Sequence, residues 1–104
     1  MKMLQITFTE LADYAIEEVY DNYSDVLDVI ELCIANTNRI ITKDTKTTYK
    51  SYYNEWDDRE DIFEYNWNLY KFAYEITSDK VNKFLKVVTL LDNLDYHLEY
   101  KIID

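Results

Sequence analysis

The stretch that decides the fold runs from Thr45 to Ile76, TKTTYKSYYNEWDDREDIFEYNWNLYKFAYEI. At its centre, Asn54 to Trp67 carries six carboxylates, Glu55, Asp57, Asp58, Glu60, Asp61 and Glu64, one cation, Arg59, and two tryptophans, Trp56 and Trp67. Two periods compete here. The β-branched residues from Ile40 to Thr48 favour extended backbone, whereas Tyr49, Tyr52, Tyr53 and Trp56 match the i, i+3, i+4, i+7 spacing of a helix face. The spacing predicts a loop or short strand to about Thr45, then helix. From Asp57 to Ile76, Ile62, Leu69, Ala73 and Ile76 fall on one helical stripe and Phe63, Trp67, Tyr70 and Tyr74 on the next. A helix so wide in its apolar face is expected to pack on two neighbours, or on one neighbour and a partner chain.

Working outward, Leu4, Ile6 and Phe8 alternate with Gln5 and Thr7, the period of a strand buried on one face. Phe8, Leu11, Ala12, Ala15, Ile16, Val19, Tyr20 and Tyr23 then recur at helical spacing, with Thr7 and Glu10 as a capping box. Ser24 is expected to cap a second, apolar helix through Ile34, and Ser78 and Asp79 to start a last one ending near Asn93. Tyr96, Leu98, Tyr100 and Ile102 alternate with His97, Glu99 and Lys101, a closing strand that pairs most simply with the first. The expected class is α+β, mostly α, with four or five helices and short, mutually paired N- and C-terminal strands.

The 104 residues suit one domain, residues 1–104, and 48% apolar with 16% aromatic residues supply a core. The chain has no Gly and no Pro, which excludes glycine-rich phosphate loops and leaves positive-φ positions to Asn or Asp. No apolar run is long enough for a membrane span and the N-terminus lacks a signal-peptide pattern, so a cytoplasmic protein is expected. Cys33, the one cysteine, reads as a small core side chain.

His97, Glu99 and Lys101 share one face of the last strand, and Glu-x-Lys with Asp92 or Asp95 has the outline of a metal-dependent nuclease half-site, but the pattern is common on exposed strands and is read here as alternating charge on a solvated face. The run DDREDIFE lacks the glycine and ligand order of an EF-hand loop. Hydrolase, kinase and zinc motifs are missing. No cofactor, metal site or enzymatic activity is expected.

Charge is segregated. Residues 1–37 carry eight acids and one Lys, residues 38–54 four cations and one acid, and residues 55–64 six acids and one Arg, within a net charge of −10. On the expected first helix, Glu10, Asp13, Glu17 and Asp21 form a carboxylate row opposite the apolar stripe, with Asp25, Asp28 and Glu31 as a continuation. Solvated helix faces explain such rows, and so does a surface that imitates a nucleic-acid strand.

In size, charge and acid rows the chain resembles the small acidic phage proteins that mimic DNA to block restriction enzymes or CRISPR nucleases. That resemblance implies a non-enzymatic inhibitor whose partner is a protein with a basic nucleic-acid-binding groove, with no direct nucleic-acid or membrane binding. The partner-binding residues would be Glu10, Asp13, Glu17, Asp21, Glu55, Asp57, Asp58, Glu60, Asp61 and Glu64, anchored by Trp56 and Trp67. The alternative is a helical interaction module, an antitoxin-like or regulatory homodimer, using the aromatic stripe of the Trp67 helix.

Overall fold

The computed structural model describes every residue except Tyr14. The chain runs β1 (Lys2–Leu11), α1 (Ile16–Ile34), β2 (Ile40–Asn54), β3 (Arg59–Ile76), α2 (Ser78–Asn93) and β4 (Glu99–Ile103). Strands hold 47% of the described residues and helices 34%, so the protein is mostly β, which overturns the expected mostly helical class. One sheet of order β2-β3-β1-β4, antiparallel throughout, carries both helices on one face. The terminal strands do pair, Leu4 opposite Ile102 and Ile6 opposite Tyr100.

Two expected helices are absent and two others are fused into one. Residues 8–11 continue β1 instead of starting a helix, and Thr7 and Glu10 lie in that strand rather than in a capping box. Ser24 caps nothing. It sits inside the continuous α1, its hydroxyl donating to the Asp21 carbonyl in the preceding turn, a bond that removes its incentive to end the helix. The true N-cap is Ala15, whose N–H is taken by the Glu18 carboxylate at 3.2 Å. Residues 45–76, expected to be helical, form the long hairpin β2–β3.

In β3 a period of two wins over the helical coincidence. Asn68, Tyr70, Phe72, Tyr74 and Ile76 are buried, while Leu69, Lys71 and Ala73 between them are half-covered and Glu75 is exposed. Tyr70 and Tyr74 therefore belong to this chain's own core rather than to an interface stripe, and Phe63 and Trp67 stand on the opposite face of the same strand. The four aromatic residues therefore do not form one helical stripe.

The core gathers Leu4, Ile6 and Phe8 of β1, Tyr70, Phe72 and Tyr74 of β3, Val19, Leu27 and Ile30 of α1, and Phe84 and Val88 of α2. Each such side chain contributes about 1.5–3 kcal/mol when fully buried. Cys33 lies half-buried at its margin. Beneath α1, the Glu31 carboxylate accepts from the Tyr74 hydroxyl at 3.0 Å and meets Arg39 Nη1 at 2.9 Å, and Arg39 Nη2 donates to Tyr20. Burial and that carboxylate push the Tyr74 phenol well above its ordinary pKa.

Helix α1 ends at Ala35, which adopts φ 51°, ψ 40° so that its N–H reaches the Glu31 carbonyl. Positive φ was expected only at Asn or Asp. It occurs at Asp58 and Asp95, and also at this alanine, where a glycine-free chain accepts the Cβ clash.

Candidate interaction surface

β1 covers β3 only from Trp67 to Ile76, with one further bond from Ala12 N–H to the Asn66 carbonyl. Beyond that point residues 59–66 pair with residues 47–54 alone. At about 3.4 Å per residue this is a two-stranded arm of roughly 27 Å, and it accounts for an elongated molecule of 59 × 27 × 27 Å. The acidic block, expected on a helix, occupies the outer part of the arm.

No glycine turn closes the arm. Asn54 Oδ1 accepts from the backbone N–H groups of Trp56 and Asp57 at 3.0 and 3.4 Å, an Asx turn, and Asp58 supplies the left-handed residue at φ 48° that returns the chain to Arg59. The Tyr53 hydroxyl donates to the Asp58 carboxylate, and this bond raises the pKa of the Tyr53 phenol. Trp56 lies in this loop with 97% of its surface exposed, an arrangement no core requirement explains.

Strand alternation divides the carboxylates. Glu55, Asp57 and Asp58 are in the loop. Asp61 is on the open face of the sheet, and Glu60 and Glu64 are on the other face, opposite Tyr53 and Tyr49. Arg59 lies 3.2 Å from Asp61 and 3.7 Å from Asp57. Among the described residues Glu55, Glu60 and Glu64 have no cation within ion-pair distance. The unneutralised charge is thus at the tip and on one face.

The open face is aromatic. Tyr52 meets Phe63 edge-on at 5.5 Å, Tyr65 tilts against Trp67 at 6.5 Å, and the Trp67 indole N–H donates to Thr48 Oγ1 at 2.8 Å. Trp67 is therefore an anchor at the root of the arm, whereas Trp56 is at its tip. Tyr52, Trp56, Phe63 and Tyr65, with Glu55 and Asp61, border an open recess of about 590 Å³.

The other expected row is dispersed. Glu10 is on β1, accepting from the Tyr23 hydroxyl at 2.7 Å; Asp13 is in the turn after β1; Glu17 and Asp21 are on α1. The continuous helix assembles a different row, Glu17, Asp21, Asp25 and Asp28, all exposed at spacings of four, four and three. Glu31 is no part of it, being turned inward to Arg39 and Tyr74. Sequence reasoning placed Asp25 and Asp28 on a separate second helix as a continuation of the row, because it ended the first helix at Ser24; the continuous α1 joins them to Glu17 and Asp21 directly.

Of the half-site expected on the last strand, His97 lies before β4 rather than on it, with its Nδ1 3.2 Å from Asp92, while Glu99 and Lys101 pair across to Thr7 and Gln5 of β1. Among the described residues no three His, Cys, Asp or Glu side chains gather in a way that would hold a metal ion. No helix among them is long and apolar enough to cross a membrane. No protein-family model matches the chain, and no curated protein sequence is significantly similar to it.

Proposed function

We propose that this protein is a non-enzymatic inhibitor that presents its acidic arm to the basic nucleic-acid-binding groove of a defence nuclease or DNA-handling protein. One observation carries the reading: a projecting ribbon that combines a fully exposed Trp56 at its tip with the unneutralised carboxylates Glu55 in the loop and Glu60 and Glu64 along one face. A ribbon two strands wide enters a groove that a globular face cannot. Its carboxylates substitute for phosphates against Lys and Arg, and an aromatic anchor adds the desolvated contact on which affinity usually concentrates.

The test is capture on the immobilised chain from host lysate, with wild type compared with a variant carrying Glu55→Gln, Glu60→Gln and Glu64→Gln. The expected partner is a nuclease or DNA-binding protein, released by raised salt and by excess duplex DNA, and lost with the triple variant. Capture that survives both duplex DNA and the three substitutions rejects the reading. Neutralising Glu17, Asp21, Asp25 and Asp28 instead separates the arm from α1 as the binding surface.

A further inference from the structure

The outer edge of β2 is the longest unpaired feature of the fold. In the order β2-β3-β1-β4 it has no strand beyond it, and its fifteen residues are exposed apart from the half-covered Asn54. Edges of this length are normally shortened, bulged or covered, because their free N–H and C=O groups recruit another strand. The arm sharpens the point. Residues 47–54 and 59–66 form a ribbon with neither a third strand nor a layer on either face, and two-stranded ribbons are marginal alone.

We propose that this edge joins two copies of the chain, β2 against β2 antiparallel about a twofold axis at Thr47, so that their sheets become one. A twofold axis perpendicular to a sheet keeps each face continuous, so residues directly opposite share a face. With the axis at Thr47 every residue from Ile40 to Asn54 gains a partner. Asp44 then stands opposite Lys50, twice over. Thr42 faces Tyr52, Ile41 faces Tyr53, Thr45 faces Tyr49 and Lys46 faces Thr48, the β-branched, aromatic and polar pairings that stabilise sheets.

The neighbouring alignments are worse. An axis at Lys46 sets that lysine against its own copy, and an axis at Thr48 sets Lys46 against Lys50, both like-charge pairs directly opposite. An axis at Thr45 keeps an opposite pair, Asp44 with Lys46, but leaves residues 51–54 uncovered. Asp44 lies 3.4 Å from Lys71 of its own chain with its side chain 67% exposed, which leaves room for a second cation. The lysines that ordinarily guard an edge are here spaced so that the alignment covering the whole strand sets no two of them opposite each other. Both sheet faces and the loop at Glu55 to Asp58 stay open, so this pairing does not depend on what the arm tip binds.

Sedimentation equilibrium and light scattering on the whole chain across micromolar concentrations test it. The expected mass is twice 12.6 kDa. Lys50→Glu sets a carboxylate against Asp44 at both ends of the interface and is expected to weaken the dimer by roughly tenfold or more. Adding Asp44→Lys to it restores opposite charge across the axis and is expected to restore the dimer. Far-UV circular dichroism confirms that each exposed-site variant is folded. A wild-type mass of 12.6 kDa throughout overturns the proposal. So does a dimer indifferent to Lys50→Glu, or one that the paired exchange fails to rescue.

Discussion

The two halves of β3 share one backbone geometry and differ in everything that covers it. From Asn68 to Ala73 the strand has a neighbour on each side, and through Ile76 it lies under the two helices with alternate residues buried: Tyr70 at 1%, Phe72 and Tyr74 at 0%. From Arg59 to Asn66 it has one neighbour and no layer, and Ile62 and Phe63 are 70% and 49% exposed. The inner half is held by tertiary burial. The outer half rests on its turn chemistry and cross-strand pairs such as Tyr52 with Phe63, each worth about 0.2–1 kcal/mol. One strand can thus belong to a core and to a surface device at once, and the change occurs at Trp67, where β1 ends its pairing.

Truncating an aromatic residue in each half gives the largest expected contrast. Phe72→Ala opens a cavity beneath both helices and is expected to cost about 3–5 kcal/mol, whereas Phe63→Ala on the arm should cost about 1 kcal/mol or less. Urea denaturation followed by far-UV circular dichroism measures both, and similar losses would erase the distinction between core and arm.

The Glu31–Arg39 pair gives the next effect. Glu31→Gln leaves a largely buried guanidinium without its counter-charge and is expected to cost about 2 kcal/mol, the pair being only partly dry. Replacing both partners, Glu31→Leu with Arg39→Met, should recover most of that loss in the same denaturation experiment.

A pH series separates the regions further. Burial, then the bond to Glu31, raises the Tyr74 pKa, and burial beside Glu10 raises that of Tyr96. An unfolded tyrosine ionises near about pH 10, so the folded state holds these protons more tightly. The stabilisation is complete below about pH 10 and is lost as pH rises from there through the raised folded values. The urea midpoint should therefore fall above about pH 10, and Tyr74→Phe should flatten the fall. A midpoint that rose in this range would contradict the buried-phenol account.

The smallest effects lie at the left-handed residues. Ala35→Gly relieves a Cβ clash at the end of α1 and should stabilise the protein by about 0.5–1 kcal/mol. Asp58→Gly at the arm tip relieves less, since aspartate tolerates this conformation, and forfeits the Tyr53 hydroxyl bond. Its effect on the melting temperature should be close to zero, and a gain equal to that of Ala35→Gly would show the tip to be strained.

How much of this was legible in the sequence depended on burial. β1 was readable because Leu4, Ile6 and Phe8 alternate against a covered face, the closing strand because Tyr96, Leu98, Tyr100 and Ile102 alternate with polar residues along the chain, and α2 because Ser78 and Asp79 mark its start. The hairpin was not. Both faces of the arm meet solvent, so Thr45 to Asn66 shows no polar–apolar alternation, and Tyr49, Tyr52, Tyr53 and Trp56 imitate a helix face by accident of spacing. Its turn carries no Asn-Gly or Asp-Gly; Asn54 and Asp58 make it from side-chain bonding and tolerance of positive φ, signals shared with any polar loop. The alternation of Asn68 to Ile76 was present, but Phe63, Trp67, Tyr70 and Tyr74 also fit a helix, and only the partners decide between the two periods. The acidic tip was legible as composition and not as geometry, because a strand splits between two faces what a helix would have lined up.

Both tryptophans of the chain lie on this hairpin, Trp56 in the loop and Trp67 at the root, with none in the helices or the core beneath them. Indole emission therefore watches the arm and is nearly blind to the body. Heating or urea that frays the ribbon should change fluorescence before circular dichroism registers loss of helix, and the gap between the two transitions measures how far the arm opens independently of the domain that carries it.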